Sequence, residues 1–187
     1  MEKAIKKIED MSLNAWPSHK MELYDGWILR FSYFYTHRTN CVEQIGPSSI
    51  PIEEKIDFCE DAYHRWGTPS IFKITPLLPD DFEKRLIDRR YAVQHVTEVM
   101  TLDLAPWQIT MPPVSVRLER TINDRWIQSL FALKSTTSAI HRQIVPSMYH
   151  AIPKDTLAAS ITNSNGQIVA IGLGILDRSY MGIYAIH

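Results

Sequence analysis

The side chains able to do chemistry are scattered through this sequence rather than gathered into a motif. The histidines are His19, His37, His64, His95, His141, His150 and His187. None follows another at the i, i+3 or i, i+4 spacing that puts two imidazoles on one helix face, so a zinc-type site would need ligands from distant segments. His141 and His150 fall on opposite faces of the helix expected around them and read as solvated. Tyr33-Phe34-Tyr35-Thr36-His37-Arg38 mixes aromatic rings with cations, a combination that can stack on bases or sugars. The simpler reading of that run is a half-buried strand with a polar face. Asp57, Glu60 and Asp61 are most simply the solvated face of a helix. Ser135-Thr136-Thr137-Ser138 has the hydroxyls that favour a helix N-cap and reads as an interhelix cap, not a nucleophile. Gly172-Leu173-Gly174 lies inside a strand pattern, where glycine allows twist or close packing. The sequence holds no G-x-x-x-x-G-K-[ST] loop, G-x-G-x-x-G, C-x-x-C or H-E-x-x-H.

The elements that must position these groups belong to an ordinary globular chain. With 187 residues and a formal net charge of -1, there is no global attraction to nucleic acid or to an anionic membrane. Cys41 and Cys59 are too few for a disulfide scaffold and read as reduced thiols. The N-terminus lacks a signal-type apolar run, and Ile168 to Leu176 is too short to span a bilayer. The expectation is a soluble, cytoplasmic protein that binds neither membrane nor nucleic acid and holds no metal.

Apolar spacing predicts a helix over 2–15, ended by Trp16-Pro17. Asp25-Gly26 sits between strand-like runs and predicts a hairpin within 21–32. A short strand is expected at 39–43, a helix over 52–66 stopped by Gly67, a strand at 70–75 and a helix from Asp80 to Arg90. The alternating, Val- and Thr-rich run 91–104 predicts a strand or strand pair. Pro106, Trp107, Pro112 and Pro113 mark a lobe boundary, dividing the chain into 1–105 and 106–187. Beyond it come a strand at 114–118, helices at 124–134 and 138–148, and a hairpin of 156–162 and 167–176 about Asn163-Ser164-Asn165-Gly166. A last strand runs over 180–187. The fold class is α/β (α+β), a mixed and mostly antiparallel sheet flanked by helices.

The run Glu22-Leu23-Tyr24-Asp25-Gly26-Trp27-Ile28-Leu29-Arg30, followed by Tyr35-Thr36-His37-Arg38-Thr39-Asn40-Cys41-Val42, resembles the "dGWlLR…gyT-R-NsV" pattern of a bacterial branch of the GNAT superfamily, the acyl-CoA-dependent N-acyltransferases. Gly46-Pro47, the segments 52–66 and 72–76, and 82–90 with Tyr91 follow in that branch's order. Arg90 stands where the branch usually has glycine. The resemblance implies acetyl transfer from acetyl-CoA to a small-molecule or peptide amine. It also implies that the last strand offers backbone N–H and C=O groups of Ile183, Tyr184, Ala185 and Ile186 to the pantetheine arm of acetyl-CoA. A fixed donor there would hold the thioester oxygen as it gains charge. A bulge and a glycine-rich pyrophosphate turn come next in the superfamily and are expected only beyond His187. On that expectation the chain is cut within its central strand and is an incomplete, weak or inactive catalytic unit. His187 is a candidate general base by position. The bare edge of the last strand suggests pairing of two copies through this end. Two rival readings are a catalytically silent α/β binding or assembly module, and a single-stranded nucleic-acid binder using Tyr33 to Arg38.

Overall fold

The computed structural model describes residues 2–105 and 114–187. The boundary expected at the proline-rich segment lies largely outside the described residues. Among those described, five α-helices and two antiparallel sheets give the mixed α+β class expected.

Helix α1, Glu2–Ala15, stops where Pro17 removes a donor. A hairpin follows, β1 (Lys20–Tyr24) and β2 (Trp27–Phe31), and β3 (Val42–Gln44) completes a sheet of order β1-β2-β3. The hairpin turn is built on Asp25 and Gly26, at φ 42° and 77°. Two left-handed central residues are what the twist of a tight hairpin demands. Only glycine fits at position 26, because a Cβ there would stand 2.2 Å from the Pro47 carbonyl oxygen. The Asp25 carboxylate accepts from the backbone N–H groups of Ser49 and Ile50, both at 2.9 Å. Lys55, buried on α2 (Ile52–Arg65), sits 3.3 Å from the same carboxylate and 4.2 Å from the centre of the Trp27 ring. With α3 (Phe82–Asp88), this half buries Trp27, Leu29, Val42, Ile56, Cys59, Tyr63 and Phe82 in one core.

The second half begins with β4 (Val116–Glu119) and two helices, α4 (Asp124–Leu133) and α5 (Ala139–His150). Asn123 caps α4 by accepting from Trp126 N–H at 3.0 Å, and Ser138 caps α5 by accepting from His141 N–H. The serine-threonine run thus acts as the cap its hydroxyls suggest. Strands β5 (Asp155–Thr162), β6 (Ile168–Asp177) and β7 (Tyr180–Tyr184) complete a sheet of order β4-β5-β6-β7. Its inner face carries Ile171, Leu173 and Ile175 against Trp126, Leu130, Phe131 and Val145. Ala15 and Trp16, at the end of α1, lie in this same second core. Its outer face presents Val116, Leu118, Leu176, Met181 and Ile183, all exposed. No helix of the described residues is long and apolar enough to cross a membrane.

Two expected strands are not formed. Segment 70–75 makes only an isolated parallel bridge, Val42 to Phe72. Segment 91–104 has no regular structure after Tyr91, whose N–H bonds to the Leu86 carbonyl. Its alternation describes an extended chain, but a ladder needs a partner edge, and His95 at φ 53° breaks the extended run. The 39–43 strand starts late, at Val42, because His37–Thr39 is a 3-10 turn.

One buried arginine joins these parts. Arg30 on β2 donates to Glu43 Oε1 on β3 at 3.0 Å, to the Arg38 carbonyl, and to the Trp16 carbonyl. Glu43 in turn meets Lys73 at 3.3 Å, and Lys73 also binds Glu9 of α1. Both Arg30 and Glu43 are buried. Glu43→Ala strands the guanidinium and is expected to cost roughly 3–5 kcal/mol in urea unfolding, with much of that loss recovered in an Arg30→Met, Glu43→Leu double variant. The backbone N–H groups of Ile50 and Ser49 hold the Asp25 carboxyl down to about 2. A lowered carboxylate contributes stability above its unfolded value, ~3.9, that is lost as pH falls toward about 2. Acid titration of Asp25→Asn is expected to show a flatter decline in that window.

Candidate functional site

The run Tyr33 to Arg38, read from the sequence as a half-buried strand, is instead part of a loop between β2 and β3 that is shaped by one side chain. Tyr33 and Phe34 are both left-handed, at φ 52° and 55°, closing a turn in which Tyr35 N–H meets the Ser32 carbonyl. Asn40, fully buried, holds that turn. Its Oδ1 accepts from Ser32 N–H at 2.6 Å and Phe34 N–H at 3.1 Å. Its Nδ2 donates to the Thr36 carbonyl at 2.6 Å and to Thr39 Oγ1 at 3.2 Å. Both lone pairs and both protons are satisfied, which an aspartate or a serine could not reproduce.

This loop carries Tyr35 across to the second half of the molecule. The Tyr35 ring stands edge-on to His141 with centroids 5.4 Å apart, and Lys134 Nζ lies 4.9 Å over its centre. Lys134 is the C-cap of α4, and the left-handed Ser135 that ends the helix aims the chain away. Trp16 continues the wall, with Tyr149 at 5.8 Å and Tyr184 at 5.9 Å, and the Arg38 guanidinium lies 5.9 Å over its ring. The Trp16 indole N–H finds no acceptor among the described residues. Gly182 makes room for the Tyr184 ring, since a Cβ there would stand 2.5 Å from it.

The end of β7 borders this wall. Leu173 pairs with Tyr184, yet Ile171 exchanges both backbone hydrogen bonds with His187, at 2.9 and 3.1 Å. Two residues, Ala185 and Ile186, therefore oppose Gly172 alone. This is a β-bulge, with Ala185 left-handed at φ 47°. A Cβ on Gly172 would come within 2.8 Å of Ile186 Cδ1, so that glycine serves close packing. The strand expected to run unbroken over 180–187 is interrupted here: β7 ends at Tyr184 and a bulge occupies Ala185–Ile186. The reason it escapes the sequence is that a non-glycine left-handed residue carries no compositional mark. The two-residue turn at 178–179 makes Asp177 and Tyr180 a hydrogen-bonded pair, so alternation leaves Ile183 with its N–H and C=O facing away from β6.

Burial pushes the Tyr35, Tyr149 and Tyr184 hydroxyls up. Burial also pulls the Lys134 ammonium down. His187 is lowered by burial first and then by the Lys134 cation, which favours the neutral imidazole. Of the four residues expected to serve the coenzyme, Ile183 and Ile186 expose their side chains outward while Tyr184 and Ala185 pack on the second core. His37 meets His95 edge-on with centroids 4.8 Å apart. Among the described residues no group of three or more His, Cys, Asp or Glu is placed to hold a metal ion. Cys41 and Cys59 are buried free thiols, both raised by burial, Cys59 to about 12.

Left-handed backbone at an alanine is strained, so Ala185→Gly is expected to hold or raise stability, by up to about 1 kcal/mol, whereas Ala185→Val lowers it by about 1–2 kcal/mol. Hydrogen exchange at the His187 amide reads the change directly, slowing in the first variant and quickening in the second.

No curated protein and no solved structure matches this chain. A family model described as "Probable histone acetyltransferase Rv0428c C-terminal" matches residues 3–176, most of the chain, and ends before β7. The chain belongs to that acetyltransferase family.

Proposed function

We propose that this protein is a GNAT-type N-acetyltransferase, moving an acetyl group from acetyl-CoA to an amine. The observation that carries the reading is the bulge at Ala185–Ile186 on an edge strand. Just before it, ladder alternation leaves the N–H and C=O of Ile183 facing away from β6, where an extended pantetheine arm can add to the strand. Acetyl-CoA supplies the activated acyl group: the amine nitrogen bonds to the thioester carbon, the C–S bond breaks, and coenzyme A leaves as a thiolate that takes up a proton. The chain's part is to hold the thioester against a fixed backbone donor and to take a proton from the amine. A neutral amine is the attacking form, and on this reading the neutral imidazole of His187 accepts that proton.

Acetyl-CoA is expected to raise the melting temperature saturably, by several degrees at ~100 times its Kd, with ATP giving no shift. The rate of acetyl transfer should rise with pH as His187 loses its proton, at a lower pH than a free imidazole would set. Lys134→Met should move that rise to higher pH, because it removes a cation that disfavours imidazolium. Absence of a shift with millimolar acetyl-CoA would sink the transferase reading and leave a silent module of the same fold.

A further inference from the structure

The wall beside β7 is cationic, and its cations lack carboxylate partners among the described residues. Lys134 lies over Tyr35, and Arg38 lies over Trp16. Among the described residues neither has a carboxylate within ion-pair distance, although Arg30, Arg85, Arg89 and Lys73 all do. The nearby carboxylates, Glu9 and Glu43, are already held by Lys73 and Arg30. What else faces the wall is imidazole and phenol: His141, His187, Tyr35, Tyr149 and Tyr184.

We infer that the acceptor is an amine that also carries a carboxylate, an amino-acid-like molecule rather than a lysine of a basic protein tail. The inference rests on the acetyl-transfer reading above and names its substrate class. Two features of the field favour it. A carboxylate gains from Lys134 and Arg38, whereas a polycationic tail brings like charges to cations already there. The same cations disfavour an ammonium, so an amine arriving with its carboxylate on Lys134 loses its proton more readily and becomes the nucleophile. The half-buried Tyr35 ring then borders the carbon chain between the two groups. A coenzyme phosphate is the other anion these side chains could take.

Calorimetric titration of the 187-residue protein without coenzyme separates these cases. The probes are a panel of free amino acids, their carboxamides, and a lysine-rich peptide. The expected result is that at least one free acid binds about tenfold or more tightly than its amide, and that the peptide binds more weakly than that acid. Lys134→Met keeps the aliphatic contact with Tyr35 and should erase the acid-over-amide preference; Lys134→Glu should reverse it. Acetyl-CoA affinity, measured separately, should stay unchanged in both variants. Equal binding of acid and amide, preference for the peptide, or no binding of any acid overturns the inference. So does a loss confined to acetyl-CoA affinity, which assigns the cations to coenzyme phosphate. Failure of acetyl-CoA to bind the unaltered protein is a different result and strikes the transferase reading alone.

Discussion

A guanidinium taken out of water must find an acceptor for each of its outward protons, and Arg30 finds them in three separate parts of the chain. The Trp16 carbonyl belongs to the end of α1, the Arg38 carbonyl to the aromatic loop, and the Glu43 carboxylate to β3. Its own backbone is held on both sides by the Tyr63 hydroxyl, which accepts from Arg30 N–H and donates to the Arg30 carbonyl. Removing any one partner leaves a buried polar group uncompensated, so the arrangement is close to all-or-none. The consequence is geometric. Trp16 belongs to the core of the second sheet, yet its carbonyl is fixed by the first. The N-terminal half thereby sets where one wall of the proposed site stands.

The loop that completes that wall is strained in a way only long-range bonding sustains. Two successive left-handed residues, neither of them glycine, cost on the order of 1–2 kcal/mol each. The four hydrogen bonds of Asn40 offset this, and they exist only because Asn40 is itself buried behind the 3-10 turn. The strain presents Tyr35 to His141 and Lys134 on the other half. An observed outlier of this kind points toward function, and here it leads to the same wall that the β7 bulge borders.

Features encoded within a few residues were legible in the sequence. Asp25-Gly26 and Asn163 to Gly166 formed the hairpins their turn chemistry demands, and the amphipathic spacing of 2–15, 52–65 and 124–133 formed helices. Features that depend on a distant partner were not. Segment 91–104 alternates as well as any strand in the chain but meets no edge, and 70–75 reaches β3 at one residue only. The site suffered most from this. Nothing local to Lys134 signals that Tyr35, from the other half of the chain, lies beneath it. The bulge, too, is made by the register of β6 against β7 rather than by any residue type.

The motif that resembles an acyltransferase branch lies in the first sheet, while the proposed coenzyme strand lies in the second. The structure supplies a physical reason why so remote a pattern could accompany acetyl transfer. Gly26 and Asp25 fix the hairpin that carries Arg30; Arg30 fixes Trp16; Thr36 and Asn40 fix the loop that carries Tyr35. Arg38 does both jobs at once, its carbonyl spent on Arg30 and its guanidinium left over the Trp16 ring. On the transferase reading, none of the hairpin residues needs to touch a substrate. Their role is to hold aromatic rings and two cations at the mouth of β7, so altering Asn40 or Gly26 would act through the placement of that wall, not through the loss of a reacting group.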